Sequence, residues 1–301
     1  MSKKLPLVSV ITPVYNRANL VGKTIESVLR QDYQNIEYII LDDGSIDESR
    51  KVIQKYKKSN RSRKKIIIKT HPNMGETRTV NKGFKIANGE YIGIVNSDDP
   101  LLPGAIKEVV KFFHSHPRII VAYPDWKMID EKGRLIRKVI TQNYNFVKMV
   151  KTFYCVPGPG TFFKKTIVDK LKGRDERFRY VGDYDFWLRA GLLGPFGRIP
   201  KTLATFRVHK DSASVGSRGL RMAKEHVDLI KKIYNLPNLP EDILKIRQEA
   251  FGSAYFVAWQ MCGDGYHFQK NIYYLQCLIY RLSYFPRYVK IVKKIISKFF
   301  R

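Results

Sequence analysis

Short apolar runs rich in β-branched residues alternate with helical patterns along the first 115 residues of the chain. Runs of this kind indicate the buried strands of a parallel sheet. The four runs are Leu7–Thr12, Ile36–Leu41, Lys65–Thr70 and Tyr91–Val95. Segments with apolar residues at helical spacing follow the runs and predict helices. This alternation is typical of a doubly wound, mostly parallel α/β sheet flanked by helices.

The pattern after residue 115 is less regular. Two strand-like runs surround the turn Glu131–Gly133, and residues 154–163 predict a Gly/Pro loop. Helical patterns begin near Lys164 and Tyr180, and residues 198–214 predict a strand followed by a polar loop.

From about Gly216 onward the pattern is helical only. We therefore predict a first domain of residues 1–215 and a helical, basic C-terminal region of residues 216–301. Residues 271–301 contain seven Lys or Arg and no Asp or Glu. A basic amphipathic helix suits the surface of an anionic membrane, but a helix packed on the domain with a solvated basic rim explains the same pattern.

Charge and cysteine usage narrow the classes of protein. The 301-residue chain has a formal net charge of +28, which predicts a polyanionic partner such as nucleic acid, anionic lipid or a phosphorylated substrate. Three widely spaced cysteines form no CxxC pair, which argues against a disulfide framework or a zinc site and fits a reducing compartment. We recognise no secretory signal and no spanning segment, so we expect a cytoplasmic protein, peripheral on the inner face of the membrane if the C-terminal region binds lipid.

Two acidic turns follow predicted strands. Asp42 and Asp43 come after the second strand in "DDGS", and Asp98 and Asp99 come after the fourth in "NSDD". Ligands of doubly wound sheets bind at the carboxyl ends of the strands. A divalent cation would relieve the repulsion between adjacent carboxylates, and magnesium commonly binds one or two carboxylates together with substrate phosphates. Each turn taken alone also fits a solvated turn or a helix cap.

Three more segments carry candidate chemistry, each with an ordinary structural alternative. Arg78 and Asn81 lie on the first turns of a predicted helix, and the planar fork of arginine suits a diphosphate. Asp183 begins the helix of "GDYDFWLR" and is either a helix cap or a general base for a hydroxyl. His209 is either a third metal ligand or a polar loop residue.

Five segments in this order, over about residues 5–215, resemble family 2 glycosyltransferases. They are "VSVITPVYNRANLVGKTIESVLRQDY", "YIILDDGSIDES", "NMGETRTVNKGFKIANGEYIGIVNSDD", "GDYDFWLRAG" and "FRVHKDSAS". The resemblance implies the Rossmann-like GT-A fold, here with a C-terminal helical extension. It also implies inverting transfer of a sugar from a nucleotide-sugar donor, usually a UDP-sugar, to a hydroxyl of a glycan or lipid-linked acceptor, assisted by magnesium or manganese.

The resemblance also implies roles for single residues. Those that match donor-binding positions are Thr12, Pro13, Tyr15, Asn16, Asp42, Asp43, Arg78, Asn81, Asn96 and Asp98. Asp98, Asp99 and His209 match metal-binding positions, and Asp183 matches the catalytic base.

The chain departs from the family pattern at two positions. Asn96 replaces the first acid of a D-x-D-D signature, so the metal has to rest on the two carboxylates that follow. Gly182 replaces the acid that usually precedes the base, which changes the electrostatics expected on the acceptor side.

Two other functions compete with this interpretation. A non-enzymatic nucleic-acid binder would explain the basic run Lys51–Lys69, but acids cluster at the strand ends and no aromatic residues are interleaved at stacking intervals. A sugar nucleotidyltransferase would need a Gly-rich signature after the first strand, which "TPVYNRANL" lacks. We therefore expect a nucleotide-sugar donor and a glycan or lipid-linked acceptor as partners, and no nucleic acid.

Overall fold

The computed structural model describes residues 5–60, 62, 64–209 and 219–282. Its contacts divide the chain into two compact units, Met1–Tyr144 with Val156–Ser212 and Asn145–Cys155 with Ala213–Arg301. The expected boundary between residues 215 and 216 lies outside the described residues, so it stays a prediction. No feature of the sequence indicated that residues 145–155 would cluster with the second unit.

The first unit contains an eight-stranded mixed sheet among the described residues. Its strands are β1 (Val8–Val14), β2 (Ile36–Asp42), β3 (Lys65–Thr70), β4 (Tyr91–Ile94), β5 (Val121–Ile129), β6 (Leu135–Val139), β7 (Phe162–Lys164) and β8 (Phe196–Arg207). Their order is β3-β2-β1-β4-β7-β5-β6, and β8 pairs with β5. The strands β1 to β4 pair in parallel, which confirms the predicted α/β class and all four predicted strands.

The parallel register brings the ends of three strands to one edge of the sheet. Val14 of β1 is opposite Asp42 of β2, and Ile11 of β1 is opposite Ile94 of β4. The turns that follow these strands carry most of the candidate residues. This edge is where ligands bind in open α/β sheets.

The strand β7 was not predicted, because its residues lie at the end of the expected Gly/Pro loop. It runs antiparallel between β4 and β5. Phe162 packs so closely on Gly93 of β4 that a Cβ at Gly93 would lie 2.2 Å from the ring. The small residue in β4 therefore lets the large residue of β7 enter the core, a pairing between distant segments that no local pattern reveals.

The helices follow the strands largely as predicted. They are α1 (Val21–Leu29), α2 (Ser49–Ser59), α3 (Glu76–Ile86), α4 (Ala105–Ser115), α5 (Phe146–Thr152), α6 (Lys165–Leu171), α7 (Gly182–Gly191), α8 (Leu220–Tyr234), α9 (Glu241–Lys245), α10 (Arg247–Met261) and α11 (His267–Leu282). In α4 the predicted stripe of Ile106, Val109, Val110 and Phe113 is buried. Phe113 stacks on Tyr91 of β4 with ring centroids 4.5 Å apart, which fixes the helix on the strand that leads to the acidic turn.

The second unit is helical where it is described, and consists of α5 with α8 to α11. Ala223, Val227, Ala258, Cys262 and Tyr273 form a small apolar core. No helix within the described residues combines the length and the apolar character needed to cross a bilayer. The amphipathic pattern of residues 284–301 lies outside the described residues.

Candidate functional site

A cleft of about 210 Å³ opens in the first unit where β4 ends. Asn96 and Asp99 line it from the turn after β4, and Asp183 lines it from the first turn of α7. The loop of residues 157–161 and Trp187 of α7 also line the cleft. Two of the predicted acidic segments therefore meet in one cavity, although 84 residues separate Asp99 from Asp183 in the sequence.

The wall formed by residues 157–161 depends on glycine. Gly160 has a φ of 76°, a left-handed conformation that costs little only for glycine. A Cβ at Gly160 would also lie 2.7 Å from the Cβ of Ala204 in β8. The Gly/Pro composition of this loop is thus explained by a tight turn packed on the sheet.

Asp98 and His209, two of the three candidate metal ligands, lie side by side, and their metal-binding role stays a prediction. The Nε2 atom of His209 lies 2.9 Å from Oδ2 of Asp98, and His209 is buried. The Nε atom of Arg17 lies 3.4 Å from the same carboxylate oxygen. The sequence interpretation did not include Arg17, although it directly follows the predicted pocket residue Asn16.

Asp99 is turned toward the protein instead. Its Oδ1 accepts a hydrogen bond of 2.7 Å from the backbone N–H of Arg207, and its Oδ2 accepts one of 3.2 Å from Asn96 Nδ2. Burial, followed by the neighbouring charge of Asp98, raises the pKa of Asp99 to about 8. Both oxygens of the Asp99 carboxyl group therefore already accept hydrogen bonds from the protein.

Asp98, Asp99 and His209 were expected to form a three-residue metal site. Among the described residues, no group of three or more His, Cys, Asp or Glu side chains is arranged to hold a metal ion. Asp98 and His209 form a two-residue pair, and the hydrogen bonds of Asp99 explain why it does not complete a triad. Magnesium and manganese sites that rely on substrate phosphates need only one or two protein carboxylates, so the pair still fits a metal held jointly with a diphosphate.

Asp42 and Asp43 are both buried and both hydrogen-bonded. Asp42 accepts hydrogen bonds from the backbone N–H of Ser45 at 3.1 Å and from Arg50 Nε at 3.2 Å. Asp43 accepts backbone N–H groups of Met74 at 2.7 Å and Gly75 at 3.0 Å. Asp43 thereby ties the end of β2 to the residues that begin α3. The predicted contact of these acids with a base or ribose stays a prediction.

The predicted pocket residues Thr12, Pro13, Tyr15 and Asn16 lie at the end of β1 or directly after it. Thr12 and Pro13 are buried in β1, and Thr12 Oγ1 lies 3.1 Å from the Tyr38 hydroxyl. Asn16 has a φ of 51° and accepts the backbone N–H of Ile46 at 2.9 Å. Tyr15 is 45% exposed, so its ring is available to a ligand at this edge.

Arg78 and Asn81 of α3 both face the segment of residues 174–176. Arg78 Nε lies 3.2 Å from Glu176, and more than half of the Arg78 side chain is exposed. Asn81 is buried; it donates to the Arg174 carbonyl at 2.9 Å and accepts the Arg174 N–H at 2.8 Å. Neither Arg78 nor Asn81 is among the residues that line the cleft, and their predicted donor-binding roles stay predictions.

Asp183 is exposed at the first turn of α7. Its Oδ1 accepts the backbone N–H of Tyr184 at 2.7 Å. A carboxylate in the first turn of a helix is stabilised by the helix dipole, but the N-cap position is Val181, so the alternative of an N-cap role for Asp183 is wrong. The same side chain lines the cleft, where a substrate hydroxyl could reach it.

Sequence interpretation missed four charged residues near the cleft. Glu76 and Arg174 line it as an ion pair, with Arg174 Nη1 3.1 Å from Glu76 Oε1. Asp185 is fully buried in α7 and accepts Arg189 Nε and Nη2 at 2.9 and 2.6 Å. The i, i+4 spacing of Asp185 and Arg189 is a signal that could have revealed the second pair. The first pair spans 98 residues, and no local signal indicates it.

The sequence model of the protein family "Glycosyl transferase family 2" matches residues 9–171, more than half of the chain. A glycosyltransferase of Methanocaldococcus jannaschii is 31% identical over 61% of this chain and 64% of its own length. A hyaluronan synthase of Pasteurella multocida is 27% identical over 77% of this chain, and a chondroitin synthase of Escherichia coli is 28% identical over 71%. The chain spans only 23% and 30% of the lengths of these two synthases.

Solved structures show the same fold at low identity. Staphylococcus aureus TarS (residues 1–349) in complex with UDP-GlcNAc matches 85% of this chain and 82% of that chain, with a TM-score of 0.65 and 18% identity. A mannosyltransferase of Pyrobaculum calidifontis in complex with GDP-Man and Mn²⁺ matches 86% of this chain and 75% of that chain, with a TM-score of 0.61 and 16% identity. These similarities agree with the expected GT-A fold.

Proposed function

This chain belongs to glycosyl transferase family 2, and we propose that it transfers a sugar from a nucleotide-sugar donor to a hydroxyl of a glycan or lipid-linked acceptor, with inversion at the anomeric carbon. The observation that carries the proposal is the meeting of Asp183 with Asn96 and Asp99 in one cleft at the carboxyl end of β4. A base and the turn expected to hold the diphosphate thus share a cavity.

Asp183 acts as the general base in this proposal. Its carboxylate takes the proton of the acceptor hydroxyl while the hydroxyl oxygen forms a bond to the anomeric carbon and the bond from that carbon to the diphosphate oxygen breaks. The carbon passes through an oxocarbenium-like state, as in other glycosyl transfers. A well-placed base contributes about 10²–10⁴-fold to the rate. Exposure of Asp183 in the cleft supports this role because the proton has to be taken from a bound substrate.

Arg17 stabilises the leaving diphosphate, and Asp98 and His209 are the residues that would hold a divalent ion beside it. The Arg17 guanidinium, 3.4 Å from Asp98, supplies planar donors suited to phosphate oxygens. A divalent ion held by Asp98 and His209, magnesium or manganese, would supply Lewis-acid stabilisation of the leaving group. The manganese in the mannosyltransferase complex supports the use of a divalent ion.

The donor is a UDP-sugar in this proposal, bound along the edge formed by the ends of β1, β2 and β4. The exposed ring of Tyr15 stacks on the nucleobase, and the turn of Asp42 and Asp43 contacts the nucleobase and the ribose. The two carboxylates are already hydrogen-bonded to the protein, so they fix the shape of this pocket as well as contacting the ligand. The UDP-GlcNAc complex of TarS supports a UDP donor, whereas the GDP-Man complex leaves a guanosine nucleotide as the second candidate.

The C-terminal region places the enzyme on an anionic membrane in this proposal. The exposed apolar residues Phe268, Leu275 and Ile279 recur along α11, and the following residues 283–301 are rich in Lys and Arg. An apolar stripe next to basic residues is the combination that interfacial helices use. A lipid-linked acceptor would then lie in the same membrane.

A screen of nucleotide sugars tests the proposed function. UDP-GlcNAc, UDP-glucose, UDP-galactose and GDP-mannose are each added with magnesium or manganese, and both the unfolding temperature and the release of nucleoside diphosphate are measured. We expect at least one donor to raise the unfolding temperature and to be turned over slowly with water as acceptor. A chain that gains no stability from any of these donors, and binds RNA or DNA in a salt-dependent gel shift instead, would contradict the proposal.

A further inference from the structure

The cleft contains a second exposed carboxylate that the proposed mechanism does not use. Glu76 begins α3 and lines the same cavity as Asp183. The following residue, Thr77, lies against Gly182, the residue before Asp183: a Cβ on Gly182 would be 2.8 Å from Thr77 Oγ1. The start of α3 and the start of α7 are therefore in direct contact, and Glu76 belongs to the side of the cleft where the base stands.

The buried side chain of Arg174 forms an ion pair with Glu76. The Arg174 residue is 7% exposed and lines the cleft. Its backbone is fixed by two hydrogen bonds with Asn81, and its Nη1 donates to Glu76 Oε1 at 3.1 Å. An arginine fixed at its backbone and paired at its tip restricts the rotamers of Glu76, so the carboxylate is oriented before any ligand arrives.

The hydrogen bonding of Arg174 is incomplete. Its Nε is buried and has no partner among the described residues. A guanidinium offers five N–H donors, and a buried donor without a partner costs about 1–3 kcal/mol. Buried unsatisfied groups are uncommon in folded proteins and are explained when a ligand or an ordered water completes them. The guanidinium therefore has donor capacity left beside a carboxylate that accepts hydrogen bonds.

Packing explains why the carboxylate comes from α3. At position 182 a Cβ would lie 2.8 Å from Thr77 Oγ1, so a side chain immediately before Asp183 would displace the Thr77 hydroxyl from its hydrogen bond to the Phe178 carbonyl. Glu76, the neighbour of Thr77, brings an acid to this part of the cleft from the opposing helix instead.

We propose that Glu76 and Arg174 bind hydroxyl groups of a neutral sugar that serves as the acceptor. A carbohydrate hydroxyl donates one hydrogen bond and accepts others, so two adjacent hydroxyls match a carboxylate that accepts beside a guanidinium that donates. Trp187, which is 5% exposed, adds a small apolar edge to the lining of the same cleft. In this assignment Glu76 and Arg174 both contact substrate, and Arg174 also orients Glu76. The inference rests on the proposed function.

Glu76→Gln and Arg174→Lys test the inference, with Glu26→Gln as the matched control. Glu26 is a partly exposed glutamate of α1 that also pairs with an arginine. The donor that stabilises the wild type is used with methyl glycosides of glucose, galactose, mannose and N-acetylglucosamine as acceptor probes. Three quantities are measured: the donor-induced rise in unfolding temperature, nucleotide release to water, and the KM and kcat of glycoside-stimulated release.

We expect Glu76→Gln to raise the acceptor KM about tenfold or more, as the loss of a charged hydrogen bond implies, with donor stabilisation and release to water within about twofold of wild type. Arg174→Lys, which keeps the charge but lacks the planar fork, shifts the acceptor KM in the same direction, and Glu26→Gln changes nothing. An unchanged acceptor KM in Glu76→Gln overturns the inference, as does a parallel loss of donor stabilisation or a wild type that no glycoside stimulates. If no donor stabilises the wild type, the proposed function itself has failed.

Discussion

Replacing Asp183 by asparagine separates the chemical step from folding and donor binding. The side chain is exposed, and its Oδ1 accepts a hydrogen bond from the backbone N–H of Tyr184. The amide oxygen of asparagine can accept the same bond. The variant therefore loses only the favourable interaction of a carboxylate with the helix N-terminus, which is worth less than about 1 kcal/mol.

The expected loss in catalysis is much larger. An amide cannot take the acceptor proton, so kcat should fall by the 10²–10⁴-fold that a general base contributes. This corresponds to about 3–5 kcal/mol in the activation free energy. Donor binding should stay intact, because the proposed base acts on the acceptor and neither Asp98 nor His209 is among the residues that line the cleft with Asp183.

The assay compares the two proteins on three readouts. Unfolding temperature with and without the donor reports folding and donor binding, and initial rates of nucleotide release with the acceptor report the chemical step. The matched control is Asp169→Asn, which replaces another exposed aspartate, one paired with Lys165 on α6. Asp183→Asn with full transfer activity would refute the assignment of the base, and so would an equal loss of donor stabilisation.

Three further predictions concern the rest of the account. The Asp99 carboxyl has a pKa of about 8 in the folded state, against an ordinary value of 3.8. Between these values the folded state binds more protons than the unfolded state, so the stability that Asp99 contributes falls as the pH rises from about 4 to 8. In urea unfolding without divalent ions, Asp99→Asn should flatten this dependence of the unfolding free energy on pH, and an unchanged slope would contradict the burial argument. Asp98→Ala should remove the dependence of donor stabilisation on magnesium or manganese, measured by thermal unfolding with and without EDTA, and a variant as metal-dependent as wild type would exclude Asp98 as a ligand. Deleting residues 284–301 should shift the protein from sedimented anionic vesicles to the supernatant, with neutral vesicles as the control; unchanged sedimentation would favour a helix packed on its own unit.

The spacing of apolar residues predicted those strands and helices whose buried face is visible within a single segment of the sequence. The apolar run of Ile36–Leu41 became β2, and the stripe on α4 is buried as expected. Both signals are set by neighbours within one element, so a single segment is enough to read them. β7 is three residues long and depends on Gly93 accommodating Phe162, which is information divided between two distant segments.

The same distinction holds within the site. Asp98 and His209 were predicted together because family-like motifs place each of them, and the structure brings them to 2.9 Å. The orientation of Asp99 was not predictable, because it is decided by the backbone N–H of Arg207 on β8. The Glu76–Arg174 pair was also missed, because its two residues are 98 positions apart and neither has a local pattern that indicates the other.

The anomeric configuration of the transferred sugar tests the account most directly. Proton NMR of the product formed from a donor of known anomeric configuration shows whether that configuration changes. A single displacement with Asp183 as base on the face opposite the diphosphate predicts inversion: an α-linked donor sugar should appear as a β-linked product. A product that retains the α configuration would contradict the proposed mechanism, because it requires either a covalent intermediate or attack from the face of the leaving group.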